Sequence, residues 1–159
     1  GCFDDIRDVI VEAYKSAVCT HNHPEGIKGA IVTAVCIWMA FRDYTKEDIA
    51  KYADRLYSGN FYSPMSSWPA MRESKYVQGS PAVCQTTVPM AISCFINTGC
   101  YENCIWEAIR FGWDTDTQAA IAGSIAAAYY RLFDTESDVE WDKIQNREYF
   151  TEIKGLMLE

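Results

Sequence analysis

The chain has 159 residues, 49% of them apolar and 23% charged, with 14 Lys and Arg against 22 Asp and Glu and a formal net charge of −8. Such a composition belongs to a globular domain large enough to bury about two-thirds of its unfolded surface, not to a disordered tail or a fibre. The acidic balance, with a pI of 4.7, excludes roles in which Lys and Arg must neutralise phosphates, so neither a nucleic acid nor an anionic membrane surface is an expected partner.

The first predicted element is an amphipathic helix from Asp4 to Val18, with Ile6, Val9, Ile10, Ala13, Ala17 and Val18 on one stripe and acids in its opening turn. A polar break at Thr20-His21-Asn22-His23 leads to Pro24 and Glu25, which read as the first turn of a second helix. Its body, Ile27 to Phe41, is apolar nearly all round, and the run from Ala30 to Phe41 is too short to span a bilayer. Thr45 and Asp48 form a capping box for a third helix reaching about Leu56. Residues 58 to 81, with Gly59, Pro64, Pro69, Gly79 and Pro81 among Phe61, Tyr62, Trp68 and Tyr76, read as one long ordered loop. Three further helices are predicted at Thr87 or Val88 to Asn97, Tyr101 to Phe111, and Thr115 to about Leu132, the last with Gly123 offering close approach to a neighbour. An acidic turn from Asp134 to Asp142 and short helices between Trp141 and Leu156 complete an all-α single domain over residues 1–159.

Seven cysteines, an odd number without a C-x-x-C pair, point to thiols packed as small hydrophobes in a reducing compartment, and a cytoplasmic location is expected. Charged residues at Asp4, Asp5, Arg7 and Asp8 stand where a signal peptide would be apolar. Gly1 in place of Met suggests a processed or engineered start, with the natural protein expected to extend further toward the N-terminus.

Two segments carry chemistry. In Gly112-Trp113-Asp114-Thr115-Asp116-Thr117, two carboxylates two residues apart, with a hydroxyl beside the second, open an Ala-rich helix. Alternate residues of a non-helical turn can aim both carboxylates at one hard cation such as Mg²⁺ or Mn²⁺. The competing reading is that Asp114 or Thr115 caps the helix while Asp116 answers its dipole. In Cys19-Thr20-His21-Asn22-His23-Pro24-Glu25-Gly26 the alternatives are a zinc site, a Cys19 nucleophile beside His21, and polar side chains bonding a helix start. Cys100 and Cys104 read as core packing and the acids at 134 to 142 as a solvated turn.

Three stretches taken together, Thr20 to Ala30, Cys84-Gln85-Thr86-Thr87-Val88-Pro89, and Gly112 to Thr117 running into Ala120 to Ala126, closely resemble the ADP-ribosylglycohydrolase family in order and interval, from about residue 4 to 133. The resemblance implies an all-helical, orthogonal multi-helix bundle holding two Mg²⁺ or Mn²⁺ ions. It implies hydrolysis of the bond between ADP-ribose and an acceptor, in an ADP-ribosylated protein or an ADP-ribose-containing small molecule. By position, Asp114, Asp116 and Thr117 would be metal ligands, His21 and His23 would line the pocket near ADP-ribose, and the loop aromatics could cover the adenosine.

The chain departs from the family pattern in two ways. A Gly-Asp segment and a Thr-Asp-Asp-Thr segment that supply the rest of the metal cluster are not in these residues, so the implied arrangement is incomplete at its N-terminal side and no general acid or base is assigned. Trp113 stands where a Gly is usual, and its bulk would narrow the substrate pocket. The apolar Ile27 to Phe41 helix leads us to expect self-association, or pairing with the missing segment. The alternative to a hydrolase is a non-catalytic ADP-ribose-binding or assembly module.

Overall fold

The computed structural model describes residues 3–57 and 83–132, and among them every regular element is an α-helix. The long loop, the acidic turn and the C-terminal helices expected from sequence lie outside the described residues.

Helix α1 (Ile6–Val18) is capped by Asp5, whose carboxylate accepts the Arg7 backbone N–H at 2.8 Å. Helix α2 (Pro24–Phe41) starts with Pro at its first position, where no donor is lost. Helix α3 (Lys46–Tyr57) opens on the expected capping box, Asp48 accepting from the Thr45 hydroxyl at 2.6 Å and Thr45 from the Asp48 N–H at 3.2 Å.

Helix α4 (Cys84–Ile96) begins a turn earlier than the spacing predicts, so Pro89 lies inside it. Proline there removes one intrahelical bond. Burial of Thr86, Thr87 and Val88 outweighs that loss, with the Val83 carbonyl accepting from Thr86 and Thr87, each at 3.0 Å. Helix α5 (Tyr101–Phe111) matches its expected bounds. Helix α6 (Thr115–Tyr129) stops short of Leu132, because Arg131 takes a left-handed φ of 57° that a helix cannot continue through.

Helices α2 and α4 form the centre of the core. α2 packs against α1, α3, α4 and α6. Its 18 residues and mean hydropathy of 1.3 would by length and composition suffice to cross a membrane, which the shorter apolar run did not suggest. Here that length is used to touch four neighbours. The sequence leads one to expect exposed apolar surface on α2, yet every residue from Glu25 to Phe41 is buried or half-buried. The exposed large apolar side chains lie elsewhere, with Trp106 and Ile109 on α5 the most open. Gly123 does provide a close approach: a Cβ there would sit 2.8 Å from Ile105 Cδ1 on α5.

Cross-links fix the helix directions. Trp38 Nε1 donates to the Phe3 carbonyl at 2.9 Å, joining the start of α1 to the end of α2. Arg131, just past α6, pairs with Asp43, just past α2, at 2.7 Å. α2 and α6 also pack on each other, and the two segments singled out by sequence open these two helices at the ends away from that ion pair.

Candidate active site

The segment before α2 is held mainly by its own backbone. His21 N–H donates to Ala17 O and His23 N–H to His21 O, both at 2.8 Å. His23 is the N-cap of α2, its Nδ1 accepting the Glu25 N–H at 3.2 Å, so Nε2 is the nitrogen left to face a ligand. His21 Nδ1 lies 2.8 Å from the Thr20 hydroxyl. Both rings are exposed. Gly26 fits closely where it stands: a Cβ would meet the His21 carbonyl oxygen at 3.1 Å. The Cys19 thiol turns back to the Lys15 carbonyl at 3.4 Å, away from the role of nucleophile.

Beside this turn lies a cluster that the sequence reading did not single out. Lys28 pairs with Glu25 at 2.6 Å and sits 4.7 Å from the centre of the Tyr57 ring. Burial, helped by Cys84 and then Glu25, pushes the Tyr57 hydroxyl well above its usual range. The i, i+3 spacing of Glu25 and Lys28 was a legible signal for the pair; their contact with Tyr57 was not, because 57 arrives from the far end of α3.

The segment before α6 is unusual in its backbone. Gly112 has φ 84° and ψ −171°, a region open essentially to glycine alone. Trp113 follows at φ 73°, left-handed and costly for a bulky side chain. Its ring meets Phe111 edge-on, centres 6.3 Å apart.

Asp114 occupies the N-cap position of α6, yet its side chain makes no capping hydrogen bond. It turns instead to Asp116, and the two carboxyls are within hydrogen-bonding reach. That contact, with the N–H groups of Thr117 and Asp116 itself, holds Asp116 below the usual carboxylate range. The helix-capping alternative for Asp114 is thus set aside. Thr117 is in the same first turn, exposed, with no hydrogen-bond partner for its hydroxyl among the described residues.

Two carboxyls in contact restrict the chemistry. The acid and base of a glycosidase need about 5–5.5 Å between them for retention and roughly 6.5–9.5 Å for inversion. Carboxyls within hydrogen-bonding reach of each other fall short of either spacing and are better suited to a common cation. Their hard oxygen donors fit Mg²⁺ or Mn²⁺ better than a soft metal. Among the described residues no three His, Cys, Asp or Glu side chains gather as a metal site. Cys19, His21 and His23 are thus not gathered as a zinc centre, and two carboxyls alone are too few donors for an octahedral shell. Cys104 is buried, its thiol pushed up to about 11 by burial, in keeping with core packing.

The family model for ADP-ribosylglycohydrolase matches residues 1–155, nearly the whole chain. The chain belongs to the ADP-ribosylglycohydrolase family. No solved structure matches it. ADP-ribosylglycohydrolases are hydrolases of the glycosidase kind that act on ADP-ribosylated substrates, in general with metal. In this member the match takes in both the His21–Glu25 turn and the Asp114–Thr117 turn.

Proposed function

We propose that this ADP-ribosylglycohydrolase chain serves the metal-dependent hydrolysis of an ADP-ribosyl glycosidic bond, releasing ADP-ribose from a modified protein or small molecule. The observation that carries the reading is the Asp114 side chain, which forgoes the helix cap and meets Asp116. In this reading Asp114 and Asp116, with Thr117 beside them, hold Mg²⁺ or Mn²⁺, which when bound polarises ligand oxygens and lowers the pKa of a bound water. In the same reading His21 and the Nε2 of His23 bind hydroxyl or phosphate oxygens of the ligand, and Trp113 walls the near side. A complete centre of two ions needs more donors than the described residues offer. Six unpaired cysteines among those residues fit a reducing compartment such as the cytoplasm.

The test is release of ADP-ribose from an ADP-ribosylated protein with Mg²⁺ or Mn²⁺, by the wild-type chain and by Asp116→Asn. Loss of turnover in the variant supports the reading, and wild-type turnover that survives both the substitution and a chelator defeats it. The small donor set and the bulk of Trp113 favour a second reading, an ADP-ribose-binding module without turnover. Calorimetry showing saturable ADP-ribose binding with no release would select it.

A further inference from the structure

Gln118 is fully buried on the core side of α6, in line with Ala122, Ile125 and Ala126. A lone amide in an apolar stripe calls for a reason. Its Nε2 donates to the Gly112 carbonyl at 3.2 Å, while its backbone N–H donates to the Asp114 carbonyl at 3.0 Å. One residue thus grips both ends of the Gly112–Asp114 turn. The other side of the amide, Oε1, is buried with no hydrogen-bond partner among the described residues. Flipping the amide would aim Oε1 at the Gly112 oxygen, so the bond to Gly112 dictates the orientation.

An unpaired buried acceptor lowers stability, and an apolar side chain of like volume would serve the core better. The amide is explained by what it holds: the left-handed pair Gly112 and Trp113, from which Asp114 departs toward Asp116. We propose that Gln118 is a positioning residue for the carboxylate pair, its side-chain amide locking the Gly112–Trp113 turn so that Asp114 is delivered to Asp116 rather than to the helix cap. The inference deepens the cation reading and rests on it.

The test compares the wild-type chain with Gln118→Met, which keeps the volume and removes both the donor and the orphan acceptor. The expected result is a thermal midpoint unchanged or raised, Mn²⁺ affinity by calorimetry lowered about tenfold, as for loss of a buried hydrogen bond, and departure of Trp113 from positive φ. The last is read by NMR from the amide–Hα coupling and intraresidue NOE. A merely structural role would lower the midpoint and leave the affinity of the folded fraction unchanged. Retention of both the Trp113 conformation and the Mn²⁺ affinity in Gln118→Met overturns the proposal.

Should that variant not fold, the wild-type chain decides: the lock predicts one slowly exchanging Gln118 side-chain amide proton, and rapid exchange of both refutes it. A wild-type chain that binds no Mn²⁺, while Gln118→Met still releases Trp113, would refute the cation reading and leave the lock standing.

Discussion

The Lys46 ammonium lies 4.6 Å from the centre of the Phe95 ring and donates to the Phe95 carbonyl at 2.8 Å. It also donates to the Thr98 carbonyl and faces the rings of Tyr129 and Tyr130 at 5.6 and 5.4 Å. A cation from the start of α3 thus closes the C-terminal end of α4, where the helix dipole favours positive charge, and ties in the end of α6.

Lys46→Met should destabilise the chain by about 1–3 kcal/mol, because two part-buried carbonyls lose their charged donor and three rings lose their cation. Lys46→Arg, which keeps the charge, should lose less. Urea denaturation of the three proteins checks the order, and a Met variant as stable as wild type would show that the cage contributes nothing.

Stability should fall at alkaline pH. Burial is the main cause that pushes Cys36 and Tyr52 up to about 12, Cys104 to about 11 and Tyr130 to about 12. Starting from 9.0 for Cys and 10.0 for Tyr, these groups keep protons in the folded state that the unfolded chain releases. Their contribution is complete below the unfolded values and is lost as pH rises through the interval up to the folded ones. Lys46, held below its usual range by burial, works in the opposite sense as a single group. Thermal melts under reducing conditions should show a midpoint that declines from about pH 9 upward, and a midpoint rising there would contradict the burial of these groups.

Gly112→Ala should cost about 1–3 kcal/mol, since φ 84° with ψ −171° is closed to a residue with a Cβ. The same substitution should disturb Trp113, visible as a shift in indole fluorescence. Equal stability of the two proteins would mean that the turn adopts another conformation in solution.

Asp114→Ala should leave stability within about 0.5 kcal/mol of wild type, because the side chain makes no cap for α6. Were its carboxylate capping the helix, removal of the side chain would cost nearer 1 kcal/mol. Denaturation curves measured without metal separate the two outcomes, and Mn²⁺ titration of the same variant should show weakened binding.

Much of the fold could be read along the chain, because helices are local objects. The 3.6-residue spacing of Ile6, Val9, Ile10 and Ala17, the Thr45–Asp48 box and Pro24 each signal a helix through contacts within a few residues. The two turns of the candidate site were legible as motifs for the same reason. The start of α4 was not: proline statistics favour a helix beginning near Pro89, whereas burial of Thr86 and Thr87 moved it earlier. Nor was the early stop of α6, since Arg131 is turned out of the helix to meet Asp43 from 88 positions away.

The order of residues determined which side chains are present for chemistry and on which helix ends they stand: His21 and His23 before α2, Asp114 and Asp116 before α6. Only the packed chain decided that the C-terminal ends of α2 and α6 are joined through Asp43 and Arg131, that Asp114 turns to Asp116 rather than capping, and that Gln118 reaches inward to Gly112. The reason is the range of the forces involved: periodicity and capping act over one helical turn, while the orientation of a side chain at a helix mouth is settled by a strained backbone and a buried amide that exist only once the core has closed.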